Sequence, residues 1–423
     1  MDLGRIDCRR ADGVFRIALT RMATWTLIDG PNFSGRSRLL GKILADAPAS
    51  SRPFFLGAYA DIGLSGFAST VQDELRFYRG SSQPHSTPWS GRLAAQAAQA
   101  VSTLSGGEQV MLGLTCLSAQ DHTLLAGIDC ALEQLDTHNR SAALGLLADL
   151  PTCQSIYMID HRIVGGELAE ARRMECRTEQ DAFKLVIADA ILEGIKEPDS
   201  PTIRLDGLCF RYKRDRQVFR DATITLEPGT IYRLTGDNGS GKSTLLKLLC
   251  GVLRPQLGSI KLDGKDYRPY SDGNTLMAYA TQNPDEQWTS TSLSRDFEVR
   301  LASMRYPVEW ADPHSTSAIA RLGRLREAIG LDRAVDRHLL DYPRALRKRL
   351  SWIWPIAGFQ PWLALDEPTL GQDADSVSQL GEALVSLSKV GYGIIIISHD
   401  DRLLQKMDYK VLSISQHQLS CCS

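Results

Sequence analysis

Short apolar runs bounded by glycine and polar residues are the main pattern along this chain, and they recur in both halves. In the second half, "TIYRLTG" (residues 230–236) alternates as a β-strand does and leads into "GDNGSGKST" and then the apolar helical stretch "LLKLLCGVL". Farther on, "WLALDEPTL" and "GIIIISHD" begin as continuous apolar runs of strand length, which is typical of strands buried in a parallel sheet. The pattern predicts an α/β fold whose strands end in polar residues at one edge of the sheet.

The chain carries one glycine-rich stretch twice, as "GPNFSGRSRLL" from residue 30 and "GDNGSGKSTLL" from residue 236. The matching glycines, Gly35 and Gly241, are 206 residues apart. Two prolines and several charges interrupt the apolar pattern at "KEPDSP" (residues 196–201), which indicates a domain boundary. We therefore expect two domains of similar size, residues 1–195 and 196–423, built as copies of one unit.

Composition and charge restrict the kind of protein. A net charge of −2 gives no attraction to nucleic acid, and the basic cluster "RALRKRL" (residues 344–350) is interpreted as a solvated helix face. Nine cysteines without a Cys-x-x-Cys pair indicate reduced thiols in a cytosolic compartment. No apolar run approaches the roughly 20 residues that span a membrane, so any role at a membrane is expected to need a separate membrane protein.

The second glycine-rich stretch has the form G-x-x-x-x-G-K-[ST] between a predicted strand and a predicted helix, the context in which this motif binds nucleotide phosphates. Its glycines let backbone N–H groups approach a phosphate, and the dipole of the following helix favours negative charge. Lys242 is expected to reach the β- and γ-phosphates, and Ser243 to coordinate Mg²⁺. The nucleotide-binding candidates here are Asn238, Gly239, Ser240, Gly241, Lys242, Ser243 and Thr244.

Two strand ends add further chemistry to this half. Asp366 and Glu367 follow one apolar run, and His399 follows the next. Because parallel strands end at the same edge of a sheet, these side chains are expected beside the phosphate loop. Asp366 would then hold the Mg²⁺ shell, Glu367 would polarise the attacking water, and His399 would contact the γ-phosphate. The alternatives are an acidic turn and a structural histidine, and the intact phosphate loop disfavours both.

With "LSGGEQ" (residues 104–109) in the first half, the chain resembles ABC-type ATPases, two of whose domains would be fused here. Ser105 lies 24 residues before Asp129, an interval similar to that between the family's signature and its Mg²⁺ aspartate. The resemblance implies tandem P-loop domains, each with a mainly parallel sheet core, a β edge subdomain and an inserted helical subdomain that carries the signature. It also implies that ATP and Mg²⁺ are bound and that ATP is hydrolysed.

The resemblance assigns further residues of the second half. Gln282, in "ATQNPDEQW", corresponds to the family's glutamine loop, which links Mg²⁺ and water to the partner-facing surface. Tyr212 lies 24 residues before Gly236, where the family commonly stacks an aromatic ring on adenine. The implied catalytic set is Lys242, Gln282, Glu367 and His399, and the implied metal set is Ser243, Gln282 and Asp366.

The first half departs from the family at the corresponding positions. Arg36 replaces the phosphate-loop lysine, and a planar guanidinium is a poor substitute for an ammonium in a tight anion site. Cys130 stands where the second half has Glu367, and a thiol cannot serve as the carboxylate base. Ala60 takes the place of the glutamine, and Glu133 belongs by register to the following turn. A degenerate site is therefore expected. It comprises Arg36, Ser37, Asp129, Cys130 and His161, with Pro343 from the second half.

The second half lacks a working signature. The position 23 residues before Asp366 is Pro343, which offers a phosphate neither a hydroxyl nor a backbone N–H. Domains of this family pair head to tail, so each ATP lies between one domain's phosphate loop and the other's signature. The resemblance thus implies a pseudo-dimer within one chain, in which Ser105, Gly106 and Gly107 complete the site of the second half.

Two functions are compatible with these motifs. The first is the cytosolic ATPase subunit of an ABC transporter, peripheral on the inner face of the cell membrane and coupled to integral membrane subunits. The alternative is a soluble ABC ATPase acting on the ribosome or another complex, but no long arm or cysteine cluster of such proteins is present. The stretch from Gln282 to Glu298 resembles the glutamine loop of energy-coupling-factor-type importers, which favours the transporter. Trp288 is expected to line the socket for the membrane partner.

Overall fold

The chain forms two compact units, Met1–Ala182 and Phe183–Ser423. The computed structural model describes residues 5–10, 13–18, 24–30, 35–58, 64–78, 86–120, 125–150, 153–163, 168, 171–175, 200–212, 217–237, 239–268, 276–292, 295–296, 299, 338–342, 344–357 and 360–422. The boundary expected at residue 196 lies outside these residues and stays a prediction. No helix of the described segments is long and apolar enough to cross a membrane.

A parallel sheet forms the centre of the first unit. The strands are β1 (Arg5–Arg10), β2 (Gly13–Ala18), β3 (Thr24–Asp29), β4 (Phe54–Gly57), β5 (Leu125–Asp129), β6 (Ser155–Ile159) and β7 (Arg172–Glu175). Five of them form an all-parallel sheet in the order β4-β5-β6-β3-β7, and β1 and β2 pair as an antiparallel hairpin. The carboxyl ends of β3, β5 and β6 therefore meet at one edge of the sheet.

The described helices of the first unit are α1 (Arg36–Ala45), α2 (Val71–Tyr78), α3 (Ser90–Ala95), α4 (Gly106–Ser118) and α5 (Thr137–Ala148). Three of them, α2 to α4, lie between β4 and β5 in the chain, where the sequence predicts an inserted helical segment. From Val110 to Ser118 every residue of α4 is buried, because this helix packs against α2, β4 and α5.

The second unit has the larger set of strands. They are β8 (Ile203–Arg211), β9 (Gln217–Leu226), β10 (Ile231–Thr235), β11 (Leu257–Leu262), β12 (Lys265–Tyr267), β13 (Met277–Ala280), β14 (Trp362–Asp366), β15 (Gly393–Ile397), β16 (Lys410–Ser415) and β17 (Gln418–Cys422). One sheet has the order β13-β14-β15-β10-β16-β17 and is parallel except at its last pair. The other is antiparallel, in the order β12-β11-β8-β9, as expected for a β edge subdomain.

The described helices of this unit are α6 (Lys242–Leu249), α7 (Arg344–Ala357), α8 (Ala374–Lys389) and α9 (Asp401–Leu404). The apolar runs of the sequence are confirmed as β14 and β15, in which every residue is buried. The strand order β13-β14-β15-β10-β16 repeats the order of the first unit's sheet, position for position along the chain. In both units, the strand before the glycine-rich stretch is fourth in that order.

Trp362 fixes the start of β14. Its indole N–H donates to the carbonyl of Pro201 at 2.9 Å, and its ring stacks on that of Tyr232 with 6.4 Å between centroids. Gly393 on β15 lies flat against the indole, since a Cβ there would come within 2.4 Å of the ring. Because the two strands start in a fixed register at this contact, their polar ends are also held in register.

The interpretation of "RALRKRL" as a solvated helix face is wrong. These residues begin α7, and Arg347, Lys348 and Arg349 are buried. Arg347 pairs with Asp285, Arg349 donates to Gln372 at 3.0 Å, and Lys348 donates to backbone carbonyls. The cluster is therefore a buried polar network, whose partners come from segments far away in the chain.

Candidate functional site

The glycine-rich loop of the second unit connects β10 to α6. Gly236, Gly239 and Gly241 all have positive φ, at 147°, 81° and 111°, a conformation that L side chains rarely adopt. A Cβ at Gly241 would also come within 2.4 Å of Val218, so only glycine fits there. The buried Oγ of Ser240 has no hydrogen-bond partner among the described residues, which suits a loop that receives a phosphate oxygen. Asn238 lies outside the described residues.

Two residues that follow this loop reach in different directions. Lys242 begins α6, and its Nζ donates to the carbonyls of Gly236 and Asp237 at 2.7 and 3.1 Å. Ser243 instead donates its hydroxyl to Oδ2 of Asp366 at 2.7 Å. This hydrogen bond joins the start of α6 to the carboxyl end of β14, so the predicted Mg²⁺-binding pair is in direct contact.

Asp366 is the last residue of β14 and is buried. Burial raises the pKa of its carboxyl group, while the hydroxyl of Ser243 and the ammonium of Lys348 oppose the rise. The hydroxyl of Tyr279 also donates to its Oδ2, at 3.3 Å. Burial and the neighbouring Asp366 carboxylate raise the pKa of Tyr279 well above its ordinary value, so the phenol keeps its proton and remains a donor.

Glu367 and His399 meet at the ends of neighbouring strands. Glu367 has a left-handed backbone, with φ of 44°, and its N–H donates to the carbonyl of Ile397 at 2.9 Å. This turn directs its carboxylate towards His399, whose Nε2 is 3.6 Å from Oε1. The hydroxyl of Thr369, two residues on, is buried without a partner in the described part of the chain.

Gln282 and Tyr212 both precede these groups in the chain. Gln282 follows β13 and is half-buried, and its carbonyl accepts a hydrogen bond from Lys348 at 2.7 Å. Tyr212, at the end of β8, is 49% exposed, and its hydroxyl lies 3.1 Å from that of Thr244 on α6. An exposed ring tied to the phosphate-loop helix is accessible for the predicted stacking on a base, which stays a prediction.

The corresponding cation of the first unit has a different partner. Arg36 begins α1 after Gly35, which has φ of 86°, and its guanidinium is 2.6 Å from Nε2 of His161. The other ring nitrogen of His161 is 2.9 Å from Oε1 of Glu133, which also accepts the backbone N–H of His161 at 2.8 Å. Arginine can only donate, so Nε2 accepts and the Nδ1 proton is directed at Glu133. The three side chains form a buried chain of charge and hydrogen bonds.

Cys130 adds a third group beside His161. Its Sγ is 3.5 Å from Nδ1 of His161, and burial together with Glu133 raises the pKa of the thiol well above its ordinary value. One ligand atom of Cys130, Glu133 and His161 lies within 4.8 Å of each other, a spacing that could hold a metal ion. Because Arg36 donates to Nε2, the proton of the ring is on Nδ1, and a metal ion could not bind that nitrogen. The arrangement therefore favours the chain of Arg36, His161 and Glu133 over a metal site.

Ser37 and Asp129 do not repeat the contact of Ser243 and Asp366. Ser37 is exposed, Asp129 is buried, and no hydrogen bond joins them within the described segments. The hydroxyl–carboxylate pair that could hold Mg²⁺ in the second unit is therefore not assembled in the first.

The signature residues begin α4. Ser105 caps this helix, in a reciprocal arrangement with Glu108 whose carboxylate accepts the Ser105 N–H at 2.9 Å. Burial by itself raises the pKa of Glu108, but hydrogen bonds from Ser105, Gln96 and Arg92 bring it below its ordinary value. Gly106 and Gly107 form the first turn. In the second unit, α7 starts at Arg344, and Pro343 lies outside the described residues, as does Ala60 of the first unit.

The sequence does not reveal the roles of three residues at these sites. It predicts only a turn for Glu133 and a solvated helix face for Lys348, and it gives no signal for Tyr279. A basic residue inside a cluster that otherwise follows a helical apolar pattern could have signalled burial of Lys348. No local signal identifies Glu133, since its hydrogen-bond partner His161 is 28 residues away in the chain.

Comparisons with a family model and with known proteins indicate the same family. Residues 219–370 match the model of the ABC transporter family. Over 220 residues the chain is 32% identical to an energy-coupling factor transporter ATP-binding protein of Thermotoga maritima, covering 52% of this chain and 81% of that protein. Over 222 residues it is 30% identical to a putative ABC transporter ATP-binding protein of Methanosarcina acetivorans, covering 52% of this chain but 35% of that protein.

A longer match reaches into the first unit. The chain is 24% identical over 362 residues to a putative HMP/thiamine import ATP-binding protein of Bacillus subtilis, which covers 74% of this chain and 64% of that protein. This chain thus spans about a third of the Methanosarcina relative and under two thirds of the Bacillus relative. The Thermotoga relative, by contrast, is matched over most of its length. This chain belongs to the family of ABC transporter ATP-binding proteins, which hydrolyse ATP.

Proposed function

We propose that this chain is the ATP-hydrolysing subunit of an ABC transporter, with one hydrolytic and one degenerate nucleotide site, which drives transport through separate membrane subunits. The observation that carries the proposal is the convergence of the phosphate loop with Asp366, Glu367 and His399 at one edge of the second unit's parallel sheet. Members of this family hydrolyse ATP, and this geometry supports the proposal that the second unit carries the reaction.

Each residue of the second unit has a distinct part in the proposed reaction. Lys242 and the backbone N–H groups of the loop bind the β- and γ-phosphates. Mg²⁺, when bound, neutralises charge on these phosphates. Ser243 and Asp366, already joined at 2.7 Å, would hold it, with Gln282 as a further ligand. Glu367 orients the attacking water and accepts its proton, while His399 stabilises the γ-phosphate.

We further propose that the signature of the first unit completes this site. Ser105 is exposed at the start of α4, and its capping box with Glu108 fixes the first helical turn. Helix starts present unpaired N–H groups that suit a phosphate. Gly106 and Gly107 add no side chain to this turn, and Ser105 adds a hydroxyl. The fused pseudo-dimer, with units 1–195 and 196–423, follows from this pairing.

The degenerate character of the first unit's own site has independent support. The guanidinium of Arg36 is engaged with His161, and His161 is engaged with Glu133. Cys130 offers a protonated thiol where hydrolysis needs a carboxylate. A nucleotide would have to break a buried ion-pair chain to recruit Arg36, which is costly. We infer that this unit contributes its signature and not its own turnover.

The duplication is supported by details beyond the strand order. Asp136 and Asp373 each cap the helix that follows the site, each seven residues after the metal-site aspartate of its unit.

The names of the relatives, an energy-coupling factor transporter and an importer, favour a membrane partner over the soluble alternative. We therefore propose a cytoplasmic location at the inner face of the membrane.

Trapping of nucleotide tests this function. Full-length chain is incubated with Mg²⁺, photoreactive ATP and orthovanadate, then irradiated and digested. We expect one trapped nucleotide per chain, cross-linked in the second unit. Two trapped nucleotides, or one in the first unit, would contradict the asymmetric assignment.

Purification from solubilised native membranes tests the partner, because recovery of ribosomes without a membrane protein would favour the alternative.

A further inference from the structure

Lys348 is the most deeply buried cation of the second unit's described residues, with 1% of its surface exposed. Its Nζ donates to three backbone carbonyls, at 2.7 Å to Gln282, 3.0 Å to Thr281 and 3.3 Å to Asp366. An ammonium group has three N–H donors, so each carbonyl receives one of them. The site is thus complete without any carboxylate in direct contact with the ammonium.

The three carbonyls belong to two neighbouring strand ends. Thr281 and Gln282 directly follow β13, and Asp366 ends β14, which pairs with β13 in parallel. The ammonium group therefore ties the two strand ends together at the edge of the sheet. It holds the backbone of two residues whose side chains are assigned to the metal.

The first unit has an apolar residue at the same spacing. Lys348 lies 18 residues before Asp366, and Met111 lies 18 residues before Asp129. Met111 is fully buried on α4, so burial at this spacing does not by itself call for a cation. Burying a cation is costly, and a cation is retained where the second unit carries the groups for hydrolysis.

We propose that Lys348 is a positioning residue for ATP hydrolysis, which fixes the backbone of Gln282 and Asp366 so that their side chains present a preformed set of metal ligands. The proposal rests on the proposed function of the second unit. The ammonium acts only through these two residues, because its donors are used by carbonyls. Its loss should weaken the response to Mg²⁺ and the turnover more than the binding of nucleotide.

The test uses full-length chain with Lys348→Met, Lys348→Arg and the control Leu350→Ala. Leu350 is buried on the same helix and its side chain has no hydrogen-bond donor, so its truncation lowers stability without removing a hydrogen bond to the strand ends. ATPase activity is titrated with ATP and with Mg²⁺, and nucleotide affinity is measured in EDTA. Thermal unfolding of each variant is recorded in parallel.

For Lys348→Met we expect kcat to fall at least about tenfold, because displaced catalytic groups cost that much or more. The Mg²⁺ concentration for half-maximal activity should rise, and affinity in EDTA should be unchanged. Leu350→Ala should retain its kcat. Near-normal kcat in Lys348→Met, or an equal loss of kcat in Leu350→Ala, would overturn the proposal. The proposed function is judged separately, by wild-type activity that Glu367→Gln removes.

Lys348→Arg provides the test if the methionine variant does not fold. A guanidinium stays charged, but its N–H donors lie in a rigid planar fork and cannot match the three carbonyls as the ammonium does. A folded arginine variant should therefore keep its nucleotide affinity in EDTA but need more Mg²⁺ for half-maximal activity than wild type. A Mg²⁺ requirement equal to that of wild type would overturn the proposal.

Discussion

Glu367 and Cys130 share one backbone arrangement in their two units. Both have a left-handed conformation, with φ of 44° and 56°, and each donates its N–H to the last carbonyl of the neighbouring strand. The distances are 2.9 Å to Ile397 and 2.8 Å to Ile159. The same turn thus presents a carboxylate in one unit and a thiol in the other, which makes the two residues a matched pair for experiment.

The first prediction concerns this pair. Glu367→Gln should keep ATP binding but lower kcat at least about 100-fold, because the water loses its base. Cys130→Ala should leave kcat within a few-fold of wild type. Steady-state ATPase assays and equilibrium nucleotide binding measure both effects. Abolished turnover in Cys130→Ala would contradict the assignment of the hydrolytic site.

The second prediction concerns the signature. Ser105→Arg should abolish turnover, because it adds bulk and charge at the start of α4, where the γ-phosphate is proposed to bind. Thr103→Arg is the control, since it adds the same side chain at an exposed position in the preceding turn. ATPase activity of the two variants is compared. Similar activity in both would count against a role of this helix start in hydrolysis.

The third prediction concerns the ion-pair chain of the first unit. Glu133→Gln should destabilise the chain by about 1.5–3 kcal/mol, because it replaces the buried carboxylate that accepts the ring and backbone N–H groups of His161 by a neutral amide. Cys130→Ala removes an uncharged neighbour of the same histidine and should cost much less. Denaturant unfolding followed by a probe in the first unit measures both. An equal effect of the two substitutions would show that the charge is unimportant.

Lowering the pH should reduce the difference in stability between wild type and Glu133→Gln. Burial raises the pKa of Glu133, but His161, through its ring and its backbone N–H, and then Arg162 lower it well below the ordinary value. A carboxyl whose pKa is lower in the folded chain stabilises the protein above its unfolded pKa of about 4.3. That stabilisation is lost as the pH falls below this value. The gap between wild type and Glu133→Gln should therefore narrow in acid.

The fourth prediction concerns stability in alkali. The folded chain lowers the pKa of Lys348 to about 8, mainly through burial, whereas an unfolded lysine has a pKa of about 10.4. Between these values the unfolded state binds more protons, so the contribution of Lys348 to stability rises with pH. The stability of wild type relative to Lys348→Met should increase from pH 8 to about 10.4. Lys389→Met, at an exposed position on α8, is the control and should show no such trend.

The fifth prediction concerns the membrane partner. Trp288 is half-buried, and its Nε1 donates to Asp285 at 3.4 Å, close to the glutamine loop. Trp288→Ala should spare the basal ATPase of the purified chain but loosen its membrane complex. Tyr267→Ala, on the antiparallel sheet, is the control. Full retention of the complex by the tryptophan variant in a pull-down would contradict a docking role.

Much of the fold follows from local patterns. Short apolar runs rich in β-branched residues, such as "GIIII", are informative, because their length and composition favour a strand buried on both faces over a helix. The glycine-rich loop can also be predicted from the sequence, since its backbone conformation requires glycine at fixed positions. These two signals also predicted that Asp366 and His399 end neighbouring strands, and the sheet order bears this out.

The errors arise where function depends on distant partners. Lys348 looks like a surface residue in its own segment, and only the assembled strand ends supply its three carbonyls. Glu133 is likewise an ordinary turn residue until Arg36 and His161 are brought beside it. The partners of buried charges are specified by tertiary contacts, and hydrophobic periodicity does not identify these partners.

The chain formed by Arg36, His161 and Glu133 also bears on evolution. Its first member stands where the second unit has Lys242, and its last stands where the second unit has Leu370. His161 connects the two, because it accepts from Arg36 and donates to Glu133. A substitution at either end therefore changes the hydrogen bonding of the same imidazole. The two positions are thus expected to co-vary among relatives, and the stability effects of changing them are expected to be non-additive in a double-mutant cycle.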